Sequence, residues 1–416
     1  SDKHRHPPVF SATTMNKTKK NTCLGISLLS LLSQRSSAFV QPQFGVARQQ
    51  TRALSTSVVD GSEEIIPAQS TSEEEESTTI RAPLKYLGPY PALGLRFPTL
   101  ATASQRAKNA TGIALDFVLD TAANVNTING QVAQELQLEI IGQALPGVGS
   151  FGTMTGGNTF NLGDTQLEGV FQQTPDDDDD DGKNEPILIM QNLTASALPV
   201  ASPASAGLLS LAFFYCFEGG VEFDWGSPSI MEDGMIANPP SVTFYGEKDR
   251  LANKAIEGMS RVKIESIPVT QLPSIMLKIN GVEIPALLDT GSPVTVLNSQ
   301  AAAQTGIKTI SLPSSESSKN PFAAVSNRFK EAQAIAKAAA DGDLLTISGM
   351  NGPVNLLKST EAPEISAIGD DDSDDVLFGK KRIFVGDIPG LAALNGLGVD
   401  APPAVVLGMD VLQTKP

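Results

Sequence analysis

Along most of the chain the apolar residues come in short strand-length runs closed by turn residues, not at helical spacing. From Ile113 to Ala122 the order Ile-Ala-Leu-Asp-Phe-Val-Leu-Asp-Thr-Ala is a buried strand pattern that leads straight into Asp120. From Ala286 to Leu297 an apolar strand again runs into Asp289-Thr290-Gly291-Ser292 and then turns apolar once more. A carboxylate at the end of a buried strand is costly to desolvate, so something should be using it. Strand, Asn280-Gly281 and strand in succession predict a hairpin just ahead of Asp289. Gly147 to Leu167 alternates strand residues with glycine turns, as another hairpin would. Helical spacing is confined to a short segment from Gly130 and to a longer one, Asn327 to Ala340, ended by Gly342 and read as a surface insertion. Further strands are predicted over Pro186–Leu193, Leu344–Leu357 and Lys381–Leu391, and Ala404–Gln413 closes the chain.

The two strand-to-aspartate segments are copies. Leu119/Leu288, Asp120/Asp289, Thr121/Thr290, Val125/Val294, Asn129/Asn298, Gln131/Gln300 and Ala133/Ala302 coincide without a gap. A second pair follows in the same order, Leu209-Ser210-Leu211-Ala212 against Leu407-Gly408-Met409-Asp410. Two matched elements in one order make an internal duplication. With 416 residues there is room for two or three domains, each with its own core.

Composition narrows the chemistry. The net charge of -16 and the acidic isoelectric point argue against nucleic acid or an anionic membrane as partner. Much of the charge sits in three runs, Glu73–Glu76, Asp176–Asp181 and Asp370–Asp375, which read as solvated loops because none has the ligand spacing of a calcium loop. Both histidines, His4 and His6, lie ahead of the predicted domains, and Cys23 sits in a predicted targeting segment. Cys216 is then the one thiol of the folded body and reads as a small buried hydrophobe. Trp225 reads as packing beneath a glycine-rich loop. No Ser-His-Asp or Cys-His catalysis, histidine-held metal or internal disulfide can be built there. The glycine-rich Gly152–Gly157 lacks the Gly-Lys-Ser/Thr ending of a phosphate loop. Carboxylates are left as the acid–base groups.

The N-terminal region reads as targeting sequence. Residues 1–14 are taken as upstream of a start at Met15. Lys17, Lys19 and Lys20 precede a short apolar run, and Ser36-Ser37-Ala38 offer a cleavage site, so residues 15–38 read as a signal peptide. From Phe39 to Val59 there are two arginines, many hydroxyls and no acid. This resembles the bipartite plastid presequence of diatoms and related algae, and implies a plastid location; an ordinary secretory signal, with a secreted or endomembrane location, is the alternative. Residues 39–82 as a whole read as transit-peptide-like sequence and an acidic linker. No segment is long and apolar enough to span a bilayer.

The duplicated loops resemble those of retropepsin-like aspartic peptidases, with two lobes fused in one chain and similarity to plant and algal proteins of that kind. The motif is apolar-apolar-Asp-Thr-Gly-Ser followed later by apolar-apolar-Gly, here Val406-Leu407-Gly408. The resemblance implies a mostly β, bilobal acid-protease fold of two β-barrel lobes with short helices, and an active site at their interface. The lobes are expected at 83–246 and 262–416, joined by 247–261. It implies further that Asp120 and Asp289 form the catalytic dyad, with loop support from Thr121, Ala122, Ala123, Thr290, Gly291 and Ser292. Leu209-Ser210 and Leu407-Gly408 would be the later apolar-Gly elements. Two adjacent carboxylates share one proton, so the charged one can deprotonate water while the neutral one hydrogen-bonds a peptide carbonyl. No metal and no cofactor is called for; the expected partner is a peptide or protein substrate, and the chain is expected to be a monomer because both lobes are present.

The first lobe departs from the pattern twice, with Ala122 for the loop glycine and Ser210 for the later glycine. If position 122 needs a left-handed backbone, alanine there costs about 1–2 kcal/mol. Two functions therefore stand side by side: an active endopeptidase, or a catalytically impaired pseudo-peptidase that binds peptides.

Overall fold

In a computed structural model the described residues are 79–143, 147–148, 154–155, 157–172, 185–197, 204–227, 229–230, 236–246, 259–267, 270–312, 321–349, 352–370, 374–388 and 402–415. All fall within the unit Leu54–Pro416. The targeting segments and the runs Glu73–Glu76 and Asp176–Asp181 lie outside the described residues.

Two large sheets carry the duplication. The first has eight strands, in the order Lys85–Leu87, Tyr90–Phe97, Ile113–Leu119, Gly207–Leu209, Thr127–Ile128, Glu185–Ala197, Asn158–Gln172 and Glu139–Gln143. The second has ten and includes Pro273–Ile279, Val282–Leu288, Val296–Leu297 and Val405–Leu407. In each sheet the same three strands surround the repeated aspartate. An entry strand (Ile113–Leu119 or Val282–Leu288) brings the chain in and a short exit strand (Thr127–Ile128 or Val296–Leu297) takes it out. A return strand (Gly207–Leu209 or Val405–Leu407) runs parallel to the entry strand and antiparallel to the exit strand. The predicted mostly β, two-lobed acid-protease fold is the observed one.

Local sequence explains these elements. Asn280 and Gly281 both take positive φ (50° and 80°), as a two-residue turn that follows strand twist requires, and they join Pro273–Ile279 to Val282–Leu288. The repeated asparagines are helix caps. Asn129 Oδ1 accepts from Gln131 N–H, and Asn298 Oδ1 accepts from Ala301 N–H, each opening a seven-residue helix behind the exit strand. The repeated alanines, Ala133 and Ala302, are the buried face of those helices. The predicted inserted helix spans Pro321–Ala340 and stops before Gly342, whose φ is 69°.

The first lobe's core is built on Phe97, Phe117, Leu119, Leu162, Leu209 and Phe213, each fully buried. Burial of one such side chain stabilises by roughly 1.5–3 kcal/mol. The second lobe's core gathers Leu277, Ile284, Leu297, Ile365 and Leu407. Leu287 and Val406 of the second sheet pack into the first lobe's cluster, as do Ile267 and Leu272 of the segment leading into it. Apolar packing thus crosses between the lobes right behind the aspartates.

Three readings are refined by the structure. Ile80–Pro83 is a strand that pairs with Ser241–Tyr245, so the first folded unit starts before Pro83. Four residues are too few to show a period, although Ala82 is buried. Cys216 is half-buried, and burial pushes its thiol up to about 12, so it stays protonated at neutral pH. Trp225 stacks on Phe223 at 5.2 Å and packs against the first core.

Candidate active site

Each entry strand ends by handing its aspartate to the return strand. Asp120 N–H donates to Leu209 O over 2.9 Å, and Asp289 N–H donates to Leu407 O over 3.1 Å. One turn later the loops are tied down again. Leu211 N–H donates to Ala123 O, and Met409 N–H donates to Ser292 O, at 3.0 and 2.8 Å. Position by position, the duplicated sequence makes duplicated backbone bonds.

The two loops then meet head to head through their threonines. Thr121 N–H donates to Thr290 Oγ1 and Thr290 N–H donates to Thr121 Oγ1, both over 3.1 Å. Each hydroxyl also reaches into the opposite lobe. Thr121 Oγ1 donates to Leu288 O at 2.8 Å, and Thr290 Oγ1 donates to Leu119 O at 2.7 Å. A hydroxyl accepts and donates at once, so two threonines make four cross-lobe bonds. Asn124 Nδ2 adds a bond to Thr270 O at 2.6 Å.

This lock brings Asp120 and Asp289 together. Ala122 N–H donates to Asp120 Oδ1 over 2.8 Å. A Cβ built on Gly291 would lie 2.6 Å from Asp120 Cγ, so the second loop passes directly over the first carboxyl. Burial pushes the Asp120 carboxyl up to about 6, against the opposing pull of the Ala122 and Ala123 amides. Asp289 is held well above the usual carboxylate range, first by burial and then by the charge of Asp120. Its Oδ1 is buried with no hydrogen-bond partner among the described residues. A buried, partnerless acceptor is uncommon and points to a species from outside the chain.

The structure also places the remaining predicted residues. Ser292 Oγ donates to Val294 O within its own loop. Ala122 does not take a left-handed φ, so the strain that alanine could bring is absent. Ser210 is fully buried: its N–H and Oγ both donate to Asn126 Oδ1, at 2.9 and 3.1 Å, and its Oγ caps the following turn by accepting from Ala212 N–H. Gly408 has no such freedom, because a Cβ there would lie 2.4 Å from Val294 O.

One neighbour escaped the sequence reading. Tyr90 opens the strand Tyr90–Phe97, and its phenol is pushed up by burial and then by the charge of Asp289. It belongs to the surroundings of the dyad, yet neither repeat nor periodicity marks it. Among the described residues no helix is long and apolar enough to cross a membrane.

The mostly β fold and the second aspartate loop are similar to those of aspartyl proteases. The aspartyl protease family matches residues 275–333, which hold the second lobe's entry strand, Asp289 loop and following helix. Among solved structures, a retropepsin-like aspartic protease from Rickettsia conorii is similar at 12% identity over 41% of this chain and 94% of that one, with a TM-score of 0.21. Basic 7S globulin from soybean is similar at 10% identity over 81% of this chain and 92% of that one, with a TM-score of 0.34. No curated protein matches the chain.

Proposed function

We propose that the chain is an aspartic-type endopeptidase that hydrolyses peptide bonds with the Asp120–Asp289 pair. The observation that carries this reading is the meeting of two buried carboxyls, one of them with a partnerless oxygen, at the point where the threonine lock joins the lobes. The pair gives up one proton and holds the other because the new charge lies beside it, and burial with the charge of Asp120 keeps the held proton on Asp289. In this state Asp120 is the base that takes a proton from water. Asp289 donates to the peptide carbonyl and so stabilises the oxyanion that forms. A peptide or protein lying across the two loops is the substrate.

The alternative, a peptide-binding protein without turnover, drew its weight from Ala122 and Ser210. Both are absorbed locally, the first without backbone strain and the second by Asn126. The test is cleavage of a peptide library by the purified chain, with and without a statine-type inhibitor. Cleavage should be bell-shaped in pH, and Asp120→Asn or Asp289→Asn should each lower it by about a hundredfold to ten-thousandfold. No cleavage from acidic to neutral pH would leave the peptide-binding reading in its place, and full activity in Asp120→Asn would take Asp120 out of the mechanism.

A further inference from the structure

Behind the Asp289 loop stands a carboxylate that the first lobe lacks. Gly408 N–H donates to Thr295 Oγ1 over 3.1 Å, and Thr295 Oγ1 donates to Asp410 Oδ1 over 2.7 Å. Thr295 is fully buried. Its hydroxyl has a single proton, and Asp410, an acceptor only when ionised, fixes where that proton goes. A lone pair is then left facing Gly408. Gly408 and Met409 are in turn the surface on which the loop rests. A Cβ on Gly408 would lie 2.9 Å from Ser292 O as well as 2.4 Å from Val294 O, and Met409 N–H holds Ser292 O.

In the first lobe the places of Thr295 and Asp410 are taken by Asn126 and Ala212. Asn126 Oδ1 accepts straight from Ser210, and its Nδ2 donates to Thr194 O at 3.4 Å. The first lobe thus orients its acceptor through a backbone carbonyl, whereas the second orients a hydroxyl proton through a carboxylate.

Asp410 stands in the first turn of the short helix Met409–Leu412. It is half-buried, and burial pushes its carboxyl upward more strongly than its partners pull it down. Those partners are the Thr295 hydroxyl, the Thr295 and Val411 amides and Lys381, whose ammonium also donates to the Asp410 carbonyl. What the geometry fixes is the Thr295 proton, which Asp410 draws away from Gly408.

We infer that Asp410 is a positioning residue for Asp289, acting through Thr295 and Gly408 on the loop that carries the catalytic carboxyl. Its kinetic consequence rests on the peptidase reading; its structural consequence does not. The experiment uses the full chain with Asp410→Ala, Asp410→Asn and Thr295→Val. Asp410→Ala and Thr295→Val should each lower kcat on a peptide substrate by about tenfold with KM within about twofold, as expected of a slightly displaced catalytic group. Asp410→Asn keeps an acceptor oxygen and should recover most of kcat. Amide exchange at Gly408 and through Asp289–Ser292, followed by NMR, should quicken by about tenfold in the first two variants and stay near wild type in the third. Wild-type kcat and protection in Asp410→Ala would overturn the inference, and so would an Asp410→Asn variant as impaired as Asp410→Ala. If the wild type cleaves nothing, the peptidase reading fails and the exchange data alone decide this one. If Asp410→Ala does not fold, Thr295→Val against Asp410→Asn makes the same comparison.

Discussion

In the second lobe the residue after Asp-Thr is Gly291, and any Cβ there would press into the Asp120 carboxyl at 2.6 Å. In the first lobe the same position is Ala122, whose methyl belongs to the packing around its own core and whose N–H bonds its own aspartate. At the later element, Gly408 is wedged beneath Val294 O, while Ser210 has room for a side chain and uses it. The backbone bonds are the same in both lobes, and so is the reciprocal threonine lock. The duplicated device therefore fixes backbone and carboxyl, and leaves the supporting contacts to each lobe. Close approach is demanded where the second lobe's glycines sit, and the first lobe's departures are another solution to the same geometry.

The largest effect should come from the dyad itself, through the pH dependence of stability. Both carboxyls are raised in the folded chain, Asp120 to about 6 and Asp289 well above its ordinary range, whereas an unfolded aspartate titrates near its ordinary value of about 3.9. The folded state then holds protons that the unfolded state has released. The stability this contributes is fully present below about pH 4 and is lost as the pH rises through about 6. Replacing Asp120 by asparagine removes one such cost, about 3 kcal/mol by this reckoning. Asp120→Asn should thus unfold at higher denaturant than wild type at pH 7 and at nearly the same denaturant at pH 4. A difference that does not change with pH would mean that the first lobe's carboxyl is not the buried group described above.

The asymmetry of the loops predicts a smaller effect, on rate. Gly291→Ala must move either the second loop or the Asp120 carboxyl, and a displacement near one ångström costs on the order of a hundredfold in rate. Ala122→Gly removes a methyl from a position without strain, so its rate should equal or exceed that of the wild type. Steady-state kinetics on one peptide compare the two. Equal losses in both variants would make the interface symmetric and break the comparison.

How much of this was legible in the sequence depends on distance along the chain. The entry strands, the Asn280-Gly281 hairpin and the paired aspartates were readable because strand, turn and functional residue are neighbours. Asn129 and Asn298 were visible as a repeat, although only the structure gives them their role as helix caps. The support for Asp289 was hidden, because Thr295 and Asp410 are 115 residues apart and nothing in either segment announces the other. Tyr90 was hidden for a similar reason, since it comes to Asp289 only through the lobe interface. The strand Asn158–Gln172 escaped as a single element because it pairs with three partners, with register shifts along two of them. Those shifts erase the alternation by which a strand is recognised.

The smallest effect separates the two locks of the later element. Ser210→Gly would restore the family pattern in the first lobe and, by the motif alone, should improve it. The structure predicts the reverse. Ser210 Oγ both donates to Asn126 Oδ1 and accepts from Ala212 N–H, and glycine does neither. Loss of the cap costs a few tenths of a kcal/mol when glycine replaces serine, and loss of a buried hydrogen bond adds about 1 kcal/mol. The Ser210 N–H bond to Asn126 survives in the variant, which keeps the cost from growing further. Denaturant unfolding should therefore place Ser210→Gly about 1 kcal/mol below wild type, with the catalytic rate little changed. Adding Asn126→Ala removes the acceptor for the backbone N–H as well, and the double variant should lose more than Ser210→Gly alone. A Ser210→Gly variant as stable as the wild type would show that Asn126 alone holds the first loop and that the serine is incidental.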